Sequence, residues 1–119
     1  MSLPACEVAA NLWSDEDHVA RHRAAVRHNW KLADRHLGDL PGYRRPPAGF
    51  FLWLPVEDDE RCALALWQKA SLRAMPGRYL AHTDPDGRNP GMRHLRIALI
   101  HEPAKMETAL RRLCQTLTI

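Results

Sequence analysis

Apolar and polar residues fall into blocks along this chain, and the spacing inside each block predicts an element. Residues 1–14 are mostly small and apolar (Pro4, Ala5, Val8, Ala9, Ala10, Leu12, Trp13), with Glu7 as the one charge, a segment suited to lie against something. Ser14 followed by Asp15, Glu16 and Asp17 marks a helix start, because a hydroxyl accepts from open N–H groups and carboxylates favour the positive end of the helix dipole. Val19, Val26, Trp30, Ala33 and Leu37 then recur at three- and four-residue spacing until Gly38 and Pro41. A long helix is expected over Asp15 to Leu37.

Pro46-Pro47 enforces an extended approach to Gly49-Phe50-Phe51-Leu52-Trp53-Leu54, a short strand apolar on both faces and so expected in the middle of a sheet or at an interface. Asp58 or Asp59 caps a second helix running to about Leu72, with Cys62, Leu66, Trp67 and Ala70 on one face. Pro76-Gly77 marks a turn between two extended pieces, and His82 to Gly91 holds too many turn formers for anything but a loop. His94 to Ile100 alternates as a strand, with Leu95, Ile97 and Leu99 on one side and Arg96 and Ala98 on the other. A last helix opens near Glu102-Pro103 and aligns Met106, Ala109, Leu110, Leu113 and Leu117. The order helix, strand, helix, strand, strand, helix predicts an α+β domain: a small mixed or antiparallel sheet with helices on one face, preceded by the long helix.

Composition narrows this little. With 119 residues and 45% hydrophobic content the chain supplies one modest core. Its formal charge of +3 comes from basic residues interleaved with acids, so no nucleic-acid partner is expected. No apolar run reaches membrane-spanning length, and the N-terminal residues lack the basic-then-apolar layout of a signal peptide, so no membrane partner is expected either. The three cysteines are odd in number and dispersed, which supports neither a disulfide framework nor a zinc knuckle and suits a reducing cytoplasm. Met1-Ser2-Leu3 reads as a vector-derived start.

Candidate chemistry is sparse. His18 and His22 lie one turn apart with Asp15 nearby, but seven histidines produce such a pair by chance, and no metal is expected. Cys62 and Cys114 sit where small apolar residues belong. Asp58, Asp59 and Glu60 are explained by a helix N-terminus. Arg96 differs: a guanidinium among Leu95, Ile97 and Leu99 is costly to desolvate unless an anion or an open cleft receives it. Spacing alone leaves two readings open, a carboxylate ligand or an arginine on an exposed edge or paired internally.

The ordered set Pro47-Ala48-Gly49-Phe50-Phe51-Leu52-Trp53-Leu54, Met75-Pro76-Gly77, Asn89-Pro90-Gly91-Met92-Arg93-His94-Leu95-Arg96 and Ala109-Leu110-Arg111-Arg112-Leu113 resembles the C-terminal small domain of class I/II, fold type I, pyridoxal-phosphate (PLP) aminotransferases. Leu12-Trp13-Ser14-Asp15-Glu16-Asp17-His18-Val19 is similar to that family's link from large domain to small. The wording around Pro76-Gly77-Arg78-Tyr79-Leu80 is most similar to succinyldiaminopimelate aminotransferases of lysine biosynthesis.

The resemblance implies that residues 1–14 are a linker from a missing N-terminal large domain and residues 15–119 the small domain. It implies that Arg96 binds the substrate α-carboxylate; Arg78 and Asn89 are further candidate substrate contacts, and because a succinylated diacid substrate would need an additional cation, Arg78 or Arg93 is the candidate reader of a distal carboxylate. It implies a homodimeric parent that exchanges an amino group between an amino acid and a 2-oxo acid. PLP in that parent is held by large-domain residues, including a catalytic lysine with no counterpart among Lys31, Lys69 and Lys105. This chain by itself is therefore expected to bind no cofactor and to be inactive. The other architecture open to the pattern is a self-standing ferredoxin-like α+β regulatory or binding module without catalysis.

Overall fold

The computed structural model describes residues 2–117. Four helices, α1 (Leu3–Ser14), α2 (Asp17–Leu37), α3 (Asp59–Ala70) and α4 (Pro103–Leu117), accompany strands β1 (Phe51–Pro55), β2 (Met75–Pro76) and β3 (His94–Ala98). The strands form one antiparallel sheet in the order β1-β3-β2. The architecture is the expected α+β. The described sheet has three strands, whereas a ferredoxin-like unit needs four.

Each strand side is decided by alternation. Leu52 and Leu54 of β1, and Leu95 and Leu99 of β3 and its extension, point inward and meet Trp30, Ala33, Leu37, Leu66, Met106, Leu110 and Leu113 from the helices. Burying these leucines contributes roughly 1.5–3 kcal/mol each. Antiparallel register sets Phe51 opposite Ala98, Trp53 opposite Arg96 and Pro55 opposite His94, so these residues share the outer face.

Two polar anchors lock helix to sheet. The Trp30 indole N–H donates to the Gly49 carbonyl at 2.9 Å, which fixes the approach to β1. Asn29, 1% exposed in the buried stripe of α2, donates to the Leu99 and His101 carbonyls at 3.0 and 2.8 Å. A buried amide costs free energy unless it is bonded, and here it ties α2 to the far end of β3.

Several expectations are corrected. Residues Leu3–Ser14, expected to lie against something, form a helix in which no residue is buried by the described chain. Met1, the first of the three residues read as vector-derived, lies outside the described residues, as do Thr118 and Ile119 of the final domain. Ser14 does not start α2; its hydroxyl donates back to the Asn11 carbonyl at 2.9 Å, and the Asp15 carboxylate receives the Asp17 N–H at 3.0 Å instead. β1 is an edge strand, not a central one, and its outer residues Phe51 and Trp53 remain 40% and 39% exposed.

The remaining differences are at element ends. α3 stops at Ala70 because Ser71 turns left-handed at φ 54° and its N–H closes the helix. Trp67 faces outward and leaves the buried face to Leu66 and Ala70. Beyond Pro76 the chain coils into a 3-10 turn at Gly77–Leu80 rather than a second extended piece.

The Pro76-Gly77 and Asn89-Pro90-Gly91 motifs touch. A β-carbon on Gly77 would sit 2.2 Å from the Gly91 carbonyl oxygen, and one on Gly91 would sit 2.0 Å from that of Gly77. Both positions exclude a side chain because two backbones meet there.

Candidate functional site

Arg96 lies at the centre of the sheet. β1 and β2 flank β3, and both Trp53 and Met75 stand directly opposite Arg96 in the register. Its neighbours Leu95 and Leu99 are fully buried, which fixes the strand and sends Arg96 to the outer face. Its guanidinium lies over the Phe51 ring, 4.5 Å from the centroid. Such a contact orients the planar fork while leaving its donors open. Among the described residues no carboxylate lies within ion-pair distance of Arg96.

Arg96 opens onto a groove of about 540 Å³ lined also by Phe51, Trp67, Leu72, Arg73 and Met75. Trp53, beside it, stacks on His94 at 5.2 Å. The floor is thus aromatic and aliphatic and the functional groups are cationic, an arrangement suited to an organic anion. Sequence reasoning missed Arg73. Its signal was parity: it lies two residues before Met75, and in an extended run such residues share a side.

Arg78 has a different surrounding. Its Nε and Nη2 donate to Asp59 Oδ1 at 2.9 and 2.6 Å, and Nη1 donates to Glu60 Oε2 at 2.7 Å. Asp58 lies 3.5 Å from Nη2. Asp59 also accepts the backbone N–H of Arg78 at 3.0 Å and of Arg93 at 3.4 Å, and the Tyr79 hydroxyl donates to Glu60. Burial alone pushes the Asp59 carboxyl up, but the Arg78 side chain and these backbone N–H groups outweigh it and hold it well below the usual carboxylate range. The same pairing raises Arg78.

The polar groups of the two residues expected to assist Arg96 are taken up within the chain. Arg78 spends its fork on three acids. The Asn89 side chain donates to the Arg78 carbonyl at 2.9 Å and to Thr83 Oγ1 at 3.1 Å, and accepts from the Gly91 N–H at 2.9 Å. It clamps the loop that leads into β3. Arg93 adopts φ 63° and lines a separate groove with Leu40, Pro41, Leu54 and Val56, away from Arg96. Asp59, read from sequence as a helix-start carboxylate, is the buried hub of this cluster, 0% exposed.

The remaining candidates are placed as follows. His18 pairs with Asp15 at 3.3 Å, and among the described residues no group of three or more His, Cys, Asp or Glu is arranged to hold a metal. Cys62 and Cys114 are half-buried against the core. Lys31, Lys69 and Lys105 are exposed on α2, α3 and α4, and none lines the Arg96 groove. No described helix is long and apolar enough to cross a membrane.

The chain thus forms a three-stranded antiparallel sheet with helices on its inner face and Arg96, without a carboxylate partner among the described residues, on its outer face. Comparison with solved structures gives the class. Over 98% of its length the chain is similar to an aminotransferase from Neisseria meningitidis Z2491, with TM-score 0.91 and 33% identity, and spans 30% of that chain. It is similar over 89% of its length to the aminotransferase AspB from Helicobacter pylori 26695, with TM-score 0.75 and 27% identity, spanning 26% of that chain. An aromatic aminotransferase from Pyrococcus horikoshii OT3 shares the fold at TM-score 0.76 and 18% identity, over 92% of this chain and 30% of that one. The fold is therefore that of a part of an aminotransferase, about a third of its length or less. No family model and no curated protein matches the sequence.

Proposed function

We propose that this chain is the C-terminal small domain of a PLP-dependent aminotransferase, and that Arg96 holds the substrate α-carboxylate. The observation that carries the reading is Arg96 itself: half-buried, laid on Phe51, and without a carboxylate partner among the described residues. A fork fixed in this way takes a carboxylate by two parallel charge-assisted hydrogen bonds. The gain is orientation, because an amino acid held by its carboxylate has one direction left for its Cα–H bond.

The groove residues do not fit the cofactor. PLP, when bound, supplies the electron sink for cleaving a bond at Cα. Its covalent attachment needs a lysine facing the substrate, and the three lysines of this chain sit on helix surfaces outside the groove. The chain's own part is thus binding, orienting and walling one side of a cleft, and it does not turn over alone. The other wall is a large domain on which the outer sheet face and the apolar surface of α1, with Leu12 and Trp13 60% and 84% exposed, would rest in a homodimeric parent. Residues 1–14 are then the link and residues 15–119 the domain. Dispersed cysteines suit a cytoplasmic setting. The motif wording favours the succinyldiaminopimelate step of lysine biosynthesis.

A chimera tests this: the Neisseria aminotransferase with its matched segment replaced by this chain. The reading expects PLP-dependent transamination from the chimera and none from this chain mixed with PLP. A folded chimera without activity, or turnover by this chain alone, contradicts it.

A further inference from the structure

We infer that a second groove, formed by α2 and the approach to β1, is a binding site for a phosphate monoester that carries an apolar group. It shares no lining residue with the groove of Arg96, so it stands or falls independently of the reading of Arg96 as a carboxylate ligand.

The groove has a volume of about 520 Å³ and is lined by two parts of the chain: His22, Arg23, Val26, Arg27 and Trp30 of α2, and residues 45–50. The buried Trp30 joins the two parts, because its indole N–H donates to the Gly49 carbonyl at 2.9 Å. Arg45 lies 5.8 Å above the Trp30 ring and gives its Nη1 to Asp34 at 2.9 Å, so its charge is already balanced. Arg23 and Arg27 differ. One turn from Arg23 stand Val19, Ala20, Val26 and Arg27, and one turn from Arg27 stand Arg23, Ala24, Trp30 and Lys31. No acid is thus a helix neighbour of either. Among the described residues neither has a carboxylate partner, and the groove lining contains no Asp or Glu. The interleaving of bases with acids along the sequence breaks down on this face of α2, where like charges one turn apart repel.

A carboxylate brings one charge and relieves one arginine. A phosphate monoester is close to a dianion near neutral pH and carries three oxygens on one atom, enough to accept from both guanidinium groups and from His22. Its organic part would lie on Val26, Pro46, Pro47 and Phe50, which are the apolar part of the lining. No lysine lines the groove, so nothing there could hold PLP covalently.

The test is an NMR titration of the 119-residue chain with phenyl phosphate, inorganic phosphate and benzoate. It is read at the Trp30 indole N–H and the arginine Nε–H signals, at constant ionic strength and about pH 7.5, where phenyl phosphate is mostly dianionic. Phenyl phosphate is expected to shift Trp30 and to bind roughly three- to tenfold tighter than either other ligand, since benzoate lacks the second charge and inorganic phosphate lacks the ring. The double variant Arg23→Gln/Arg27→Gln should bind phenyl phosphate roughly tenfold more weakly or worse, whereas Arg96→Gln should bind it unchanged. Both replaced side chains are exposed and glutamine favours helix, so an unaltered ligand-free Trp30 signal certifies the variant. Inorganic phosphate binding as tightly as phenyl phosphate overturns the ester, and benzoate binding as tightly overturns the dianion. Both comparisons are made in the unaltered chain. Affinity that survives the double variant, or that vanishes in Arg96→Gln, overturns the site.

Discussion

Two arginines stand 18 residues apart in this chain, and their surroundings are opposite. Arg78 is enclosed by Asp58, Asp59 and Glu60 and bonded through its whole fork. Arg96 rests on a phenylalanine with its donors open to a groove. A guanidinium saturated by its own chain contributes to stability and has nothing left for a ligand. One that the fold orients but does not neutralise is available for recognition. The difference supports the proposal that Arg96, and not Arg78, takes the ligand, although both were candidates on the sequence.

The comparison can be broken most severely at Asp59. Asp59→Ala removes the partner of Arg78 and the acceptor of two backbone N–H groups. Breaking a buried pair costs about 3–5 kcal/mol, and the 25% exposure of the Arg78 side chain places the loss near about 3 kcal/mol. A denaturant midpoint that does not move would show the cluster to be ornamental.

Acid sharpens the same point with a smaller effect. Asp59 has a depressed folded pKa, so its contribution is complete above the unfolded carboxylate value of about 4 and is lost as pH falls through the folded value. Unfolding free energy should decline with acid from about pH 4 downward. In Asp59→Asn, less stable throughout, that decline should be shallower, and an unchanged acid limb would remove Asp59 as its source. Arg96→Ala should change stability least, within about 1 kcal/mol, since it removes a cation–π contact and no ion pair. A loss as large as that of Asp59→Ala would mean that Arg96 is structural after all.

The sequence made some of this legible and hid the rest for physical reasons. The long helix and its end at Leu37, the cap at Asp58 and the alternation that turns Arg96 outward all depend on neighbours in sequence, and all are present. Sheet order is not local. A strand apolar on both faces was expected in the middle of a sheet or at an interface; β1 lies at an edge, and only Leu52 and Leu54 are sealed. The residue type of Asp59 explained itself so well as a helix start that its burial could not be seen. Only the fold brings Arg78 onto it from 19 residues away. Asn29 was hidden likewise, a polar residue in an apolar stripe whose partners lie 70 and 72 residues on. Pro76-Gly77 and Asn89-Pro90-Gly91 were legible as turns, but the reason both need glycine is that they touch. Arg73 was obscured by the expectation that α3 ran to Leu72. Once Ser71 ends the helix, parity with Met75 puts Arg73 on the groove that Arg96 lines.

The central claim is that Arg96 receives a carboxylate. The direct measurement is kcat/KM of the Neisseria chimera for an amino acid and for the matching amine without its carboxylate, in the chimera and in its Arg96→Ala variant. If Arg96 holds the carboxylate, the chimera should prefer the amino acid by roughly 100-fold or more, as expected for a charge-assisted pair of bonds, and Arg96→Ala should remove most of that preference while leaving the amine rate nearly unchanged. A preference that persists undiminished in Arg96→Ala would contradict the account.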